Sequence, residues 1–293
     1  MDFIGNTKTL NLLARSLKNG ALNHAYIFSG PEHVGKMTLA KIFALHAISG
    51  TEFGPNIDDF SKDALFDLIV VVPEITEKNN ISKQRDISVE SIRDAKQSLC
   101  LFPYHGKYKI LIVEDAHKLN IAAQNALLKI LEEPNPTTII ILVTHEEDRL
   151  LSTIKSRCQI VNFVLASDED MKDIFSEKII SISAGRPGLA NILNNSDQER
   201  IFRTEAIEEL KKIDKGSLNY RFSLAEEFSK DTVKTLEKLN VWIWEMRKNA
   251  LSSDGSRREN IYADIERIRQ SMETLKRTNA GSRLVLETLF MDL

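Results

Sequence analysis

The sequence predicts an α/β domain built on a mainly parallel five-stranded sheet, followed by an all-α C-terminal region. Five apolar segments in the first 165 residues are continuous runs rather than alternations of apolar and polar residues. Strands that are covered on both faces have this pattern. Segments of helical periodicity separate the runs, as is typical of a parallel sheet whose strands are joined by crossover helices. From Ala166 onward the pattern is helical almost throughout.

The predicted strands lie, in order, at residues 25–29, 65–73, 109–115, 137–144 and 159–164. Between them, Asn120 is placed to cap a helix that ends before Pro134, and Ser88 is placed to cap another helix. The polar segment 74–86 is expected to be a flexible loop. The Gly-Arg-Pro-Gly run at 185–188 predicts a turn between two helices of the C-terminal part.

Composition limits the possible classes of protein. The chain has 293 residues, a formal net charge of −3 and two cysteines. Two cysteines cannot build a disulfide scaffold or a four-cysteine zinc site. The near-neutral charge argues against a large nucleic-acid-coating surface. The longest apolar runs are too short to span a bilayer, and the first residues lack the features of a signal peptide. We therefore expect a soluble, cytoplasmic protein that has no membrane partner.

Residues 30–36, with the sequence GPEHVGK, follow a predicted strand and precede a predicted helix. That is the setting of a phosphate-binding loop, in which Gly30 and Gly35 allow backbone amides to face an anion and Lys36 reaches the outer phosphates. A turn that merely joins strand to helix is the alternative. Position 37 is Met, although the motif requires a hydroxyl that holds Mg²⁺. A thioether is a poor ligand for this ion, so hydrolysis of Mg-ATP is not expected.

A second candidate element is the acidic pair Glu114 and Asp115, which ends the predicted strand at 109–115. In an NTPase these carboxylates hold Mg²⁺ and orient the attacking water, but in the order Asp then Glu. Because transfer chemistry is sensitive to displacements of about 1 Å, the reversed order weakens the catalytic interpretation. The alternative, that the two acids cap the next turn, has comparable weight.

These motifs, in this order, resemble the clamp-loader branch of the AAA+ ATPases, and within it the bacterial delta-prime subunits of DNA polymerase III. The resemblance rests on the segments 22–36 and 65–74, the stretch 87–134 that ends in LLKILEEP, and the Ser-Arg-Cys tripeptide at 156–158. It covers roughly residues 1–195. It implies an AAA+ domain at 1–165, a small helical lid domain at 166–197, and a helical oligomerisation (collar) domain at 198–293.

The resemblance also implies partners and residue roles. The partners are the delta subunit, ATP-binding gamma or tau subunits, the sliding clamp and primer–template DNA. Arg157 matches an arginine finger that acts in trans on a neighbouring ATP site, where a guanidinium stabilises charge on the transferring phosphoryl group. The alternative for Arg157 is a surface arginine. Thr144 matches a residue that senses the γ-phosphate, with an ordinary strand-end threonine as the alternative.

The lid region leaves two alignments open. Gly188 falls where active members carry a nucleotide-sensing arginine, and a shift of two residues would place Arg186 there instead. No cofactor is expected, although weak nucleotide or anion binding without hydrolysis is compatible with Lys36. Residues 37–99 lack cysteine, so the zinc module of the family is not expected. The histidines of the α/β part lack metal-binding spacing, and no metal site is predicted from them: His24, His33, His105, His117 and His145.

The leading hypothesis is a delta-prime-like clamp-loader subunit that does not hydrolyse ATP. One alternative is a gamma/tau-like ATPase that tolerates the substitutions, against which Met37 argues. A DNA-binding module acting alone is a third hypothesis, against which the net charge argues. Trp242 and Trp244 fit either a partner interface or the core of the helical region.

Overall fold

A five-stranded parallel sheet organises the N-terminal part of the protein. The computed structural model describes residues 3–54, 62–73, 75–78, 81–84, 86–277 and 281–293. The chain divides into two compact units, of which the first comprises Met1–Ile174 and Gly185–Leu189 and the second Phe175–Ala184 and Ala190–Leu293.

The strands of this sheet are β1 (Ala25–Ser29), β2 (Leu68–Val71), β5 (Lys109–Val113), β6 (Thr138–Thr144) and β7 (Gln159–Asn162). Their order is β2-β5-β6-β1-β7, and every pairing is parallel. The predicted fold class is therefore confirmed. Ser29 lies opposite Thr144 and Asn162 in the register of β1 with β6 and β7. This alignment brings the residues that follow these strands to one edge of the sheet.

A hairpin lies where the sequence predicts a flexible loop at 74–86. Its strands are β3 (Ile75–Lys78) and β4 (Ile81–Gln84), which pair antiparallel. The remaining residues 74, 79–80 and 85 lie outside the described part of the chain. The prediction of a loop is therefore wrong for residues 75–78 and 81–84, which form strands. Cross-strand backbone pairing stabilises a polar segment that shows no alternation of apolar and polar residues.

Helices cover both faces of the large sheet. They are α1 (Thr7–Lys18), α2 (Lys36–Ser49), α3 (Val89–Leu99), α4 (Ile121–Glu132) and α5 (Ser152–Lys155), and α6 (Asp168–Met171) follows β7 along the chain. Tyr26 and Phe28 of β1 pack in one buried cluster with Phe43 of α2. Ile27 packs in a second buried cluster with Leu127 of α4. Because successive side chains of a strand point to opposite faces, burial on both faces explains the continuous apolar runs of β1, β5 and β6. The edge strands β2 and β7 are only partly buried, so the prediction that both of their faces are covered is wrong.

The predicted helix caps are confirmed. Asn120 Oδ1 accepts a hydrogen bond from the backbone N–H of Ala123 at 2.8 Å, and α4 begins one residue later than Asn120. Ser88 Oγ accepts from the N–H of Ser91 at 3.3 Å at the start of α3. Such side-chain acceptors satisfy amides that the first helical turn leaves without a partner.

The second predicted strand is shorter than expected because of a buried carboxylate. Residues Lys62–Asp67 form a 3₁₀ segment, and β2 begins only after it. Asp67 is fully buried and accepts hydrogen bonds from the N–H groups of Tyr104 (2.6 Å), His105 (2.8 Å) and Gly106 (3.3 Å). Burial would raise the pKa of Asp67, but these three amides and the charge of Lys109 together outweigh it and lower the pKa. Asp67 thus ties its segment to the loop that leads into β5.

The helical part consists of α7 (Glu177–Ser183), α8 (Pro187–Asn195), α9 (Asp197–Lys215), α10 (Leu218–Ser229), α11 (Thr232–Leu251), α12 (Gly255–Arg277) and α13 (Ser282–Asp292). Trp242 lies in the core of the second unit, where its indole donates to the carbonyl of Ala206 at 2.7 Å. Trp244 is half-buried, with the guanidinium of Arg203 4.6 Å from its ring centroid. Trp242 therefore packs in the core of the helical unit rather than at a partner interface.

None of the helices in the described part of the chain combines the length and apolar character needed to cross a bilayer. The predicted division into three domains stays a prediction. The predicted lid residues 166–197 are shared between the two compact units, because 166–174 and 185–189 group with the α/β unit.

Candidate functional site

The loop 30–36, which the sequence predicts to bind phosphate and which we call the phosphate loop, joins β1 to α2 and depends on two glycines. Gly30 has φ 147° and Gly35 has φ 89°, a region that favours glycine. A Cβ on Gly30 would lie 2.4 Å from the carbonyl oxygen of Phe163, and one on Gly35 would lie 2.7 Å from the Phe3 ring. No side chain fits at either position without movement of a neighbour. The backbone conformation of this loop therefore requires glycine at both positions, as the motif predicts.

Lys36 is buried at the first residue of α2. Its ammonium donates to the carbonyl oxygens of Gly30 at 2.8 Å and Pro31 at 2.5 Å. Burial lowers the pKa of Lys36 to about 8, although the charges of Glu32 and Asp115 oppose the shift. The ammonium therefore engages oxygens of its own loop.

The side chain at position 37 packs against the apolar core. Met37 is half-buried and packs against the apolar cluster that contains Val34 and Leu39. Thr38, the neighbouring hydroxyl, is exposed. A Mg²⁺–nucleotide site of the phosphate-loop type thus lacks its hydroxyl ligand at position 37, and the residues present do not fit one.

The acidic pair follows β5. The backbone of Glu114 donates to the carbonyl of Val71 at 2.9 Å, which extends the pairing with β2. Asp115 has φ 49°, and its Oδ2 accepts from the ammonium of Lys118 at 2.8 Å. Burial would raise the pKa of Asp115, but the hydrogen bond and charge of Lys118 outweigh it and lower the pKa. Asp115 precedes the 3₁₀ turn Ala116–Lys118 without capping it through its side chain.

Thr144, the last residue of β6, is buried. Its hydroxyl oxygen accepts from the N–H of Glu146 at 3.1 Å and lies 3.4 Å from Nδ1 of His117. The hydroxyl therefore stabilises the turn after β6 and lies beside His117.

Two histidines join Asp115 at this edge of the sheet. The rings of His117 and His145 are 4.1 Å apart between centroids, and one ligand atom from each of the three residues lies within 4.8 Å of the others. Burial, with the charge of His145, lowers the pKa of His117 to about 4. The spacing of these three residues along the sequence does not predict that they lie together. The usable signal is that His117 and His145 each follow a predicted strand, so that parallel pairing brings them to the same edge.

The run 185–188, predicted to be a turn, approaches the phosphate loop within the first unit, but its last two residues already belong to helix α8. The N–H of Gly188 donates to the carbonyl of His33 at 2.8 Å, and a Cβ on Gly188 would lie 2.9 Å from that oxygen. Position 188 is therefore too close to the loop for an arginine side chain. Arg186 is buried, and its charge helps to lower the pKa of Lys36. Of the two alignments left open, the one with Arg186 places an arginine near the phosphate loop.

Arg157 follows α5 and is about one-third exposed, with 36% of its side chain accessible. One guanidinium nitrogen lies 3.0 Å from Glu132 Oε1 at the end of α4, and the other terminal nitrogen donates to the carbonyl of Thr153 at 3.0 Å. Two neighbouring helices thus hold the guanidinium at the surface.

Comparisons with known proteins agree with this architecture. The family described as "DNA polymerase III, delta subunit" matches residues 5–166. The chain belongs to this family of clamp-loader subunits. The tau subunit of DNA polymerase III from Bacillus subtilis is 35% identical over 162 residues, which cover 55% of this chain and 28% of that protein. The delta' subunit from Pseudomonas aeruginosa is 29% identical over 208 residues, which cover 65% of this chain and 61% of that protein.

The clamp-loader subunit therefore spans less than a third of the tau relative that it matches. Among solved structures, a gamma subunit-related protein from Thermotoga maritima covers 97% of this chain and of its own length, at 19% identity and a TM-score of 0.51. That likeness supports the fold.

Proposed function

We propose that this clamp-loader subunit has the delta-prime role and does not hydrolyse ATP. In this role it helps to load the sliding clamp onto primed DNA, and it donates Arg157 to the ATP site of a gamma or tau neighbour. Its partners are the gamma or tau and delta subunits, and the clamp and primer–template DNA through the complex, in the cytoplasm. The observation that carries the proposal is Met37, packed against the core at the position where the motif requires a hydroxyl.

Three further features support the absence of hydrolysis. The ammonium of Lys36 is held by carbonyl oxygens of its own loop. The acidic pair has the order Glu114-Asp115, and Asp115 is bound by Lys118. Phosphoryl transfer needs Mg²⁺, the lysine and an oriented carboxylate together. In this chain the hydroxyl ligand of Mg²⁺ is replaced by Met37, Lys36 binds its own loop, and the two carboxylates stand in reversed order.

The position of Arg157 supports a role in trans. Its guanidinium is partly exposed, and Glu132 and the Thr153 carbonyl fix its direction. A preorganised guanidinium loses little conformational freedom when it meets a phosphate of another subunit. The Glu132 carboxylate can be exchanged for that phosphate because an ion pair at a solvent-accessible site is weak.

A gamma/tau-like ATPase is the alternative, favoured by the 35% identity to the tau subunit of Bacillus subtilis. Equilibrium binding of a fluorescent ATP analogue to the purified chain, with and without Mg²⁺, distinguishes the two. We expect no binding, or weak binding that is indifferent to Mg²⁺, and we expect Met37→Thr to increase the dependence on Mg²⁺. Micromolar, Mg²⁺-dependent binding to the unaltered chain would favour the ATPase.

The finger role is tested by Arg157→Ala in the reconstituted clamp loader. We expect the complex to assemble and its DNA-stimulated ATPase rate to lose the share of one site, because a finger arginine is worth roughly 10³–10⁵ in kcat at its own site. Arg93→Ala is the matched control, since Arg93 is also an exposed arginine in an ion pair with a glutamate. An ATPase rate equal to that of the control would remove the finger role.

A further inference from the structure

We propose that Asp115, His117 and His145 bind a divalent transition-metal ion of the zinc class. This site lies at the carboxyl edge of the sheet, beside the phosphate loop. It is distinct from a Mg²⁺–nucleotide site because two of its three ligands are imidazoles.

The topology of the sheet brings the three ligands together. Asp115 and His117 follow β5, and His145 directly follows β6, the neighbouring parallel strand. The 3₁₀ turn Ala116–Lys118 places His117 back against the end of β6, where Thr144 lies 3.4 Å from its Nδ1. The ligands thus lie in short turns within a few residues of the ends of two paired strands rather than in a long loop, which favours a preorganised metal site.

The distances are close to those of a metal site. Nδ1 of His145 lies 3.9 Å from Oδ1 of Asp115, and the three ligand atoms lie within 4.8 Å of one another. Metal–ligand bonds of roughly 2.0–2.2 Å place ligand atoms about 3.4 Å apart in a tetrahedral zinc site. The largest shift needed is therefore about 1.4 Å, the difference between 4.8 Å and that separation. Rotation of the partly exposed His145 ring and of the Asp115 carboxylate can supply it.

Neighbouring groups orient the ligands. Nε2 of His145 lies 3.1 Å from Oε1 of Glu32 and 3.8 Å from Oε1 of Glu146, which leaves Nδ1 turned toward Asp115. A carboxylate on the second nitrogen of an imidazole is the usual outer partner of a metal-binding histidine, since it fixes the ring and makes it more basic. Lys118 holds Oδ2 of Asp115, so that Oδ1 is the oxygen that faces His145.

The ligand chemistry selects the class of metal. Imidazole nitrogens suit Zn²⁺, Cu²⁺ and Ni²⁺, whereas Mg²⁺ prefers an all-oxygen octahedron. Two histidines and one carboxylate match the three protein ligands of zinc sites that keep a fourth position for water or an external ligand. His117 is buried, whereas Asp115 and His145 are partly exposed, so an ion can enter from solvent.

Zinc titration of the full chain tests the proposal. After treatment with a chelator and its removal, the chain is titrated with ZnCl₂ by calorimetry, and bound zinc is counted by elemental analysis. We expect one zinc per chain. His145→Gln should weaken binding by more than the roughly 10–100-fold that loss of an outer-shell partner costs. His105→Gln is the matched control, because His105 is exposed and lies outside the cluster, and it should bind zinc normally.

Two further measurements keep the test decisive if the buried His117 cannot be replaced without disturbing the fold. Glu32→Gln, outside the ligand set, should weaken zinc binding by roughly 10–100-fold. Co²⁺ in place of Zn²⁺ should give visible absorption bands of a four- or five-coordinate site, and these should vanish in His145→Gln. A sulfur-to-cobalt charge-transfer band would assign the ion to a cysteine and overturn the proposal. So would a stoichiometry below one, or zinc binding by His145→Gln equal to that of the control.

Zinc binding is measured on the isolated chain without nucleotide. Its failure therefore leaves the delta-prime role untouched, and failure of the nucleotide test leaves the metal site untouched.

Discussion

Lys36 shows at the scale of one residue how the altered phosphate loop is held together. Its ammonium is buried, and two loop carbonyls replace part of its hydration. Carbonyl dipoles compensate a buried charge only partly, which is why burial lowers the pKa of Lys36 to about 8. The folded state therefore binds fewer protons than the unfolded chain between about pH 8 and the unperturbed lysine pKa of 10.5.

The pH dependence of stability follows from this shift. Lys36→Met removes the titrating group, so the stability of the variant relative to the unaltered chain should fall by about 2 kcal/mol between pH 7 and about pH 9.5. The sign follows because the unaltered chain gains stability as the buried amine loses its proton. Urea unfolding at the two pH values, followed by circular dichroism, measures the difference.

Lys41→Met is the matched control for this experiment. Lys41 lies on the same helix α2 but is exposed. The stability of Lys41→Met relative to the unaltered chain should change little between the two pH values. A pH dependence of Lys36→Met no larger than that of this control would show that Lys36 is not buried as a cation.

Helix α4 shows at the scale of one element how a local signal sets a boundary. Asn120 accepts from the N–H of Ala123, and the helix ends at Glu132, just ahead of Pro134. Both signals act within one turn of the chain, so they can be read from the sequence. The start of β2 could not be read in this way. The apolar run 65–73 conceals a 3₁₀ segment that Asp67 fixes through amides of residues 104–106.

The cap makes a measurable contribution to stability. Asn120→Ala should lower the free energy of unfolding by about 1 kcal/mol, because one amide of the first turn loses its acceptor. Asn125→Ala is the matched control, since Asn125 is exposed in the middle of the same helix and alanine favours helix there. Denaturant unfolding of the two variants measures the difference. Equal effects of both substitutions would rule out the cap contribution.

At the scale of the whole molecule, the chain contains two separately packed units. The α/β unit has an apolar cluster on each face of its sheet, and the helical unit has its own cluster. Both tryptophans, Trp242 and Trp244, lie in the helical unit. Their fluorescence therefore reports the folding of that unit, and either residue can serve as the probe when the other is replaced.

Replacing each tryptophan in turn tests the packing of the helical unit. Trp242→Phe should destabilise it by about 2–3 kcal/mol, because it leaves a cavity and deprives the buried carbonyl of Ala206 of its donor. Trp244→Phe should have a smaller effect, since Trp244 is half-buried and phenylalanine can still stack under Arg203. Urea unfolding followed by the remaining tryptophan compares the two variants. A larger loss in Trp244→Phe would contradict the assignment of Trp242 to the core.

The sequence by itself determined the α/β class, the order along the chain of the five strands in the large sheet, the helix caps and the position of the predicted phosphate loop with its substituted hydroxyl. These features depend on apolar periodicity and on contacts within a few residues, which the linear order contains. Only the tertiary structure decided that Asp115, His117 and His145 form one cluster and that Arg186 lies close enough for its charge to lower the pKa of Lys36. The physical reason is that the order of strands in a parallel sheet is set by packing between distant segments. Residues far apart in the chain therefore meet at one edge, and their sequence separation does not show which strands are neighbours in the sheet.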